Sequence, residues 1–378
     1  MTTYGFLSTF PPTRCGLATF TAALARAICS GGPDNCVVVR VDDLVPAGPS
    51  LPEPRIRLAG MLHPDNPQSI REAAVQLNQC DVVIVQHEYG IYGGPDGDEV
   101  LDVLARVRKP IIIVLHTVLA EPTAHQREVL NVACGFADAV VVMTRRGQEV
   151  LASAYAINAD KVHLIPHGVD PWVDAPNAEA SEGPTVLTWG LLGPGKGIEW
   201  GIRAMADLTD LEPRARYQVL GQTHPKVLRE HGESYRTSLI ALARELGIAG
   251  DIQIDGRYQE TSRLAARVAG ADIVLLPYDS ADQSTSGVLA EAVAAGKIVI
   301  ATRFPHAVEL LSDNRGYLVE RQSPSDIAKA IRAALSDPSQ AASALARARK
   351  DASKNSWAKV AVRYRALVPA TLQKSLSA

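Results

Sequence analysis

Glu291 is the one charged residue in an otherwise apolar stretch, VLAEAVAA at 288–295. A helix that is apolar all round is a buried helix, and a buried carboxylate without a partner is costly. Glu291 therefore needs a specific partner: a backbone amide, Arg303, or a ligand hydroxyl. The run at 273–277, flanked by Asp272 and Asp279, has the pattern of a parallel strand buried on both faces. In the polar loop that follows, Ser284, Thr285 and Ser286 are N-cap candidates, and Gly296 can close the helix. Ligands of open α/β sheets sit beyond the carboxyl ends of strands, which is where this loop and helix start fall.

A second candidate is GLLGPGKG at 190–197, between a strand-like run and a helical one. Glycines let backbone amides approach an anion, the helix N-terminus adds its dipole, and Lys196 adds a full charge. Gly190, Gly195 and Lys196 fit GxxxxGK, but Gly197 stands where Ser or Thr would hold magnesium, which disfavours a nucleoside triphosphatase. The dinucleotide pattern GxGxxG fails at Ile198. Taken alone, the loop is equally a tight turn. His116 ends the strand-like run at 111–115, and His87 and Glu88 end another at 82–86, so the three can meet at the carboxyl ends of strands or serve as packing groups. Asp96 and Asp98 resemble a metal-holding acid pair but precede a helical pattern, where Asp is a favoured cap. Asp279 and Asp282 read as turn formers.

These residues need a scaffold of alternating strands and helices. Strand patterns at 3–9, 36–41, 81–86, 110–116, 139–143 and 161–165 alternate with helical ones at 17–28, 67–79, 97–107, 121–136 and 146–154, and the first turn ends at Gly16. After an aperiodic Pro- and acid-rich run at 170–184, a second series places strands at 185–190, 216–221, 251–255, 273–277, 298–302 and 317–319. Its helices fall at 197–208, 236–247, 260–269, 324–335 and 339–353. In a last helix at 356–367, Trp357, Val360 and Tyr364 share one face that must pack on something. The expected fold is α/β: two Rossmann-like doubly wound domains over 1–170 and 185–355, a linker at 171–184, a terminal helix at 356–378, and a ligand cleft between the domains.

With 378 residues, 47% of them hydrophobic, the chain can bury a large core, and a net charge of −3 without a basic stripe argues against a nucleic-acid partner. The longest apolar runs are strand-sized and the uncharged opening is not a signal peptide, so a soluble protein with no transmembrane segment is expected. Five cysteines without CxxC or Cys/His spacing fit reduced thiols in a cytoplasm, and no zinc site is expected.

Taken in order, the Gly16 loop, QHEYGIYGG at 86–94, LHT at 115–117, LIPHGVD at 164–170, GLLGPGKG at 190–197, GQTHP at 221–225 and the loop-helix at 283–296 resemble a retaining family 4 glycosyltransferase of the GT-B fold. The resemblance covers nearly the whole chain. It implies a nucleotide diphosphate-sugar donor on the second domain, a small-molecule or glycan acceptor on the first, and no required metal. That family carries two acidic residues eight positions apart in the last motif; here they are Gln283 and Glu291, with Gln in place of the first acid. Gln283 is implied at the donor sugar and Glu291 at the ribose. Lys196, with Gly195 and the amides near Thr285, Ser286 and Gly287, is implied at the diphosphate, Gly16 at a loop closing on the donor, and His116 at the transferred sugar. Leu191 stands where similar enzymes often carry Arg, leaving Lys196 as the main local cation. The motif variants resemble a mannosyltransferase-like branch, which makes GDP-mannose the first donor expected. A nucleotide-sugar epimerase of the same fold and a non-catalytic nucleotide-sugar binder are the alternatives.

Overall fold

The computed structural model describes residues 1–42, 53–170, 183–280, 283–337, 343, 346–347 and 353–375. The chain forms two compact units, Met1–Gly168 with Asn355–Ala378, and Val169–Lys354. Most of the expected linker, Asp282 and most of the helix expected at 339–353 lie outside the described residues.

Unit 1 is built on seven parallel strands: β1 (Thr3–Ser8), β2 (Asn35–Val41), β3 (Ile56–Leu62), β4 (Val82–His87), β5 (Ile111–Leu115), β6 (Ala139–Val142) and β7 (Val162–Leu164). They lie in the order β3-β2-β1-β4-β5-β6-β7. Its helices are α1 (Gly16–Ser30), α2 (Pro67–Leu77), α3 (Glu99–Leu104), α4 (Ala124–Phe136) and α5 (Arg145–Ala154). All five residues of β5 are buried, because helices cover both faces of a parallel sheet. The pleat sends Val83, Ile111, Ile113 and Val140 into one core with α2–α5, and Tyr4, Ile84, Ile112 and Val141 into another with α1.

Unit 2 has six parallel strands: β8 (Thr185–Trp189), β9 (Arg216–Leu220), β10 (Ile252–Asp255), β11 (Ile273–Leu276), β12 (Ile298–Thr302) and β13 (Tyr317–Val319). Their order is β10-β9-β8-β11-β12-β13. The helices are α6 (Ile198–Ala206), α7 (Pro225–His231), α8 (Ser234–Glu245), α9 (Thr261–Gly270), α10 (Gly287–Ala294), α11 (Pro305–Leu311) and α12 (Pro324–Ser336). As in unit 1, two cores flank the sheet.

The last helix, α13 (Trp357–Ser375), returns to unit 1 and buries Trp357, Val360, Ala361 and Tyr364 in the core it shares with α1. Arg365 secures the contact: it donates to the carbonyls of Ala27 and Ile28 at the end of α1 and pairs with Asp34 at 3.3 Å. A cation there also complements the α1 dipole. Among the described residues, no helix is long and apolar enough to cross a membrane, and the five cysteines form no disulfide.

Candidate functional site

In unit 2 the strand order reverses between β8 and β11, because the chain runs from β8 outward to β9 and β10 and then returns to the other side of β8. Loops leaving the carboxyl ends of such neighbours flank a crevice. Here they are Gly190–Gly197 after β8 and the segment after β11 that leads into α10. The two are tied where the Asp279 amide donates to the Gly195 carbonyl at 2.9 Å. Gly197 sits at φ +62°, and a Cβ there would fall 1.8 Å from the Pro277 carbonyl oxygen, so close packing of loop on strand end demands glycine. Gly195, at φ +88°, faces open space: a Cβ would meet nothing within 4 Å.

Lys196 lies in the same loop with its ammonium 4.2 Å from the centroid of the Tyr278 ring, which stacks on Phe304. Among the described residues no carboxylate pairs with Lys196. The pKa of His224 is lowered, first by burial and then by Lys196. Asp279 is more than a turn former. It accepts from the Trp200 indole at 3.0 Å, and its backbone carbonyl takes Arg321 at 3.0 Å.

On the other loop, Gln283 donates through Nε2 to the Thr285 carbonyl at 2.6 Å, which folds its side chain against its own backbone. Ser286 caps α10, its hydroxyl accepting from the Leu289 amide at 3.2 Å. Its own amide donates to Nδ1 of buried His306 at 2.8 Å. The expectation that the Ser286 amide holds a diphosphate is thereby corrected: that donor is committed inside the protein. Of the alternatives for Glu291, Arg303 is not its partner, since Arg303 pairs with Glu320 at 2.9 Å. Glu291 instead accepts from the indole of Trp189, the last residue of β8. Burial pushes its carboxyl up to about 7; the indole opposes that rise and Asp170 adds to it. One neutral N–H is slender compensation for a partly buried carboxylate, and lone pairs remain for further donors.

Unit 1 has its own reversal between β1 and β4. Gly16, the first residue of α1, is exposed, and a Cβ there would meet nothing within 4 Å, so packing gives no reason for glycine. His116 follows β5, its Nε2 2.7 Å from Oε1 of Gln86 and its ring edge-on to Phe20 at 4.8 Å. Burial, with His167 and His87 nearby, pushes its pKa down to about 3, so the imidazole is neutral. With the Gln86 oxygen facing it, Nε2 carries the proton and Nδ1 is the acceptor. His87 is buried against Tyr89 and held neutral by burial, at about 4. Glu88 accepts from the Thr117 hydroxyl and from the Tyr89 amide at 3.1 Å. Asp96 and Asp98 are not side-chain caps: both contact His125, at 3.0 and 3.4 Å. Among the described residues no group of three or more His, Cys, Asp or Glu could hold a metal ion.

Trp189, Tyr278, His306 and Gln86 are site residues that sequence reasoning did not single out. Trp189 and Tyr278 directly flank recognised strand ends, and an aromatic there beside a glycine loop is a usable signal. His306 and Gln86 reach their partners from other elements, and nothing in their local sequence marks them.

The family model described as Glycosyltransferase Family 4 matches residues 15–173, and that described as Glycosyl transferases group 1 matches 173–353. A curated D-inositol 3-phosphate glycosyltransferase of Acidothermus cellulolyticus is 27% identical over 356 residues, 84% of this chain and 77% of that protein. One from Xylanimonas cellulosilytica is 28% identical over 238 residues, 58% of this chain and 54% of the relative, so the match spans about half of that relative's length. Among solved structures, Anabaena HepE in complex with UDP and glucose superposes with a TM-score of 0.75 at 15% identity, over 98% of this chain and 100% of that one. Sucrose-phosphate synthase from Thermosynechococcus elongatus gives 0.74 at 20% identity, over 98% and 100%. At these identities the likeness establishes the architecture of two Rossmann-like units.

Proposed function

From a chain that belongs to the glycosyltransferases, family 4 in its first half and group 1 in its second, we propose an enzyme that moves a sugar from a nucleoside diphosphate to an acceptor hydroxyl. The observation that carries this reading is the unit 2 crevice. A glycine loop bearing Lys196, with open space where a Gly195 Cβ would stand, faces a helix start beside a partly buried carboxylate held by an indole. Lys196, the Gly195 backbone and the amides near Thr285 and Gly287 would stabilise the leaving diphosphate without a metal, and Glu291 would accept from the ribose hydroxyls. Gln283 would turn from the Thr285 carbonyl to the donor sugar. His116, neutral, would meet the transferred sugar through a hydrogen bond, and Gly16 would give the donor close approach to the α1 loop.

Transfer with retention follows a front-face route. The bond from the acceptor oxygen to the anomeric carbon forms, the bond from that carbon to the phosphate oxygen breaks, and the acceptor proton passes to the leaving phosphate. GDP-mannose is the first donor to test, on the strength of the motif variants. The relatives named for D-inositol 3-phosphate direct the acceptor toward a cyclic polyol.

A thermal-shift screen of GDP- and UDP-sugars, followed by product detection on the hits in excess chelator, tests the reading. A product with retained anomeric configuration supports it. Donor conversion without an acceptor would mark an epimerase, binding without turnover a non-catalytic binder, and failure of every nucleotide-sugar to bind would overturn the proposal.

A further inference from the structure

Unit 1 holds a partly buried ionisable group with no role in the scheme above. Glu88 follows β4 at the reversal of the unit 1 sheet, beside the end of β5. The Thr117 hydroxyl donates to Oε2 and the Tyr89 amide to Oε1, so each carboxylate oxygen has one donor and a spare lone pair. Burial raises its pKa while both hydrogen bonds oppose the rise. Among the described residues no cationic side chain pairs with it. Asp96 and Asp98 are engaged by His125, whereas Glu88 is held by two neutral donors.

In its ionised form a carboxylate so placed accepts hydrogen bonds from neighbouring hydroxyls and repels a phosphate. We infer that Glu88 determines acceptor specificity, taking the hydroxyls of a neutral polyhydroxylated acceptor and excluding one that carries phosphate at that position. This rests on the reading that unit 1 takes the acceptor of a glycosyltransferase. Thr117 is then a positioning residue, fixing one carboxylate oxygen.

The test is calorimetric titration of the full chain with inositol and with D-inositol 3-phosphate, for wild type, Glu88→Gln and Thr117→Val, with melting temperatures to confirm folding. The phosphorylated probe is expected to bind at least about tenfold more tightly to Glu88→Gln than to wild type, and to remain excluded by Thr117→Val, which keeps the charge. Wild type binding D-inositol 3-phosphate as tightly as inositol would overturn the inference. So would an unchanged response in Glu88→Gln, including no binding by either protein, or an equal gain in Thr117→Val. Nucleotide-sugar binding by the same preparations separates the two claims. Its absence removes the glycosyltransferase reading, whereas the phosphate response reports on Glu88 directly.

Discussion

Donor binding at Glu291 should release a proton. Its carboxyl is poised at about 7 by burial, and ribose hydroxyls donating to it favour the ionised form, so the bound pKa falls. Donor affinity is then expected to rise as pH goes from about 6 to 8, with a buffer-dependent calorimetric heat, and both effects should vanish in Glu291→Gln. Stability moves the other way. A folded pKa above the ordinary carboxyl value means the contribution is complete below the unfolded pKa, near 4.5, and is lost as pH rises through about 7. Melting curves of wild type against Glu291→Gln should therefore diverge in favour of the variant as pH rises through that window. His116 makes a different prediction. Neutral and held by Gln86, it would serve in the proposed reaction as a hydrogen-bonding group in the transition state, so His116→Ala should bind donor normally while turnover falls by about a hundredfold. A weakened donor Kd with unchanged turnover would contradict that role.

Among the elements, glycines at two loop positions answer to different forces. Gly197→Ala forces a left-handed backbone and drives a Cβ onto the Pro277 carbonyl, so it should destabilise unit 2 by at least about 1–3 kcal/mol in chemical denaturation. Gly16→Ala meets open space at a helix start and should leave stability unchanged or slightly raised, yet lower turnover if the donor approaches that backbone. Tyr364 anchors α13, but its buried hydroxyl has no partner among the described residues. Tyr364→Phe should thus keep or raise the melting temperature, whereas Tyr364→Ala should cost about 3–5 kcal/mol.

The same elements mark what sequence can carry. β5 was legible because five consecutive apolar residues fit a strand covered on both faces, and β12 and β13 fall on their expected ranges. β3 was missed because it is the sheet's edge strand: Arg57 and Leu58 are exposed, which breaks the buried pattern. The helices α7 and α11 were missed because seven residues starting at proline give too few turns for a period to emerge. Glu291 was visible as a lone charge on an apolar helix, but the indole that holds it comes from the end of β8, and the pattern around Glu291 does not reveal that contact.

On the scale of the whole molecule, the chain enters unit 2 after Gly168 and leaves it at Asn355, so α13 is far from α1 in sequence yet packs on it. Each unit places its candidate residues at the reversal of its own sheet, and the proposed function puts the donor on the β8–β11 side of unit 2 and the acceptor on the β1–β4 side of unit 1. The central claim is that unit 2 grips a nucleoside diphosphate through Lys196 and the glycine loop. It is tested most directly by titrating the nucleotide-sugar hit, in chelator, into wild type and Lys196→Ala. A charge-assisted phosphate contact is worth about 1.5–3 kcal/mol, so the account predicts a Kd weakened by roughly 10- to 150-fold in the variant with an unchanged melting temperature. Equal affinity in the two proteins would contradict it.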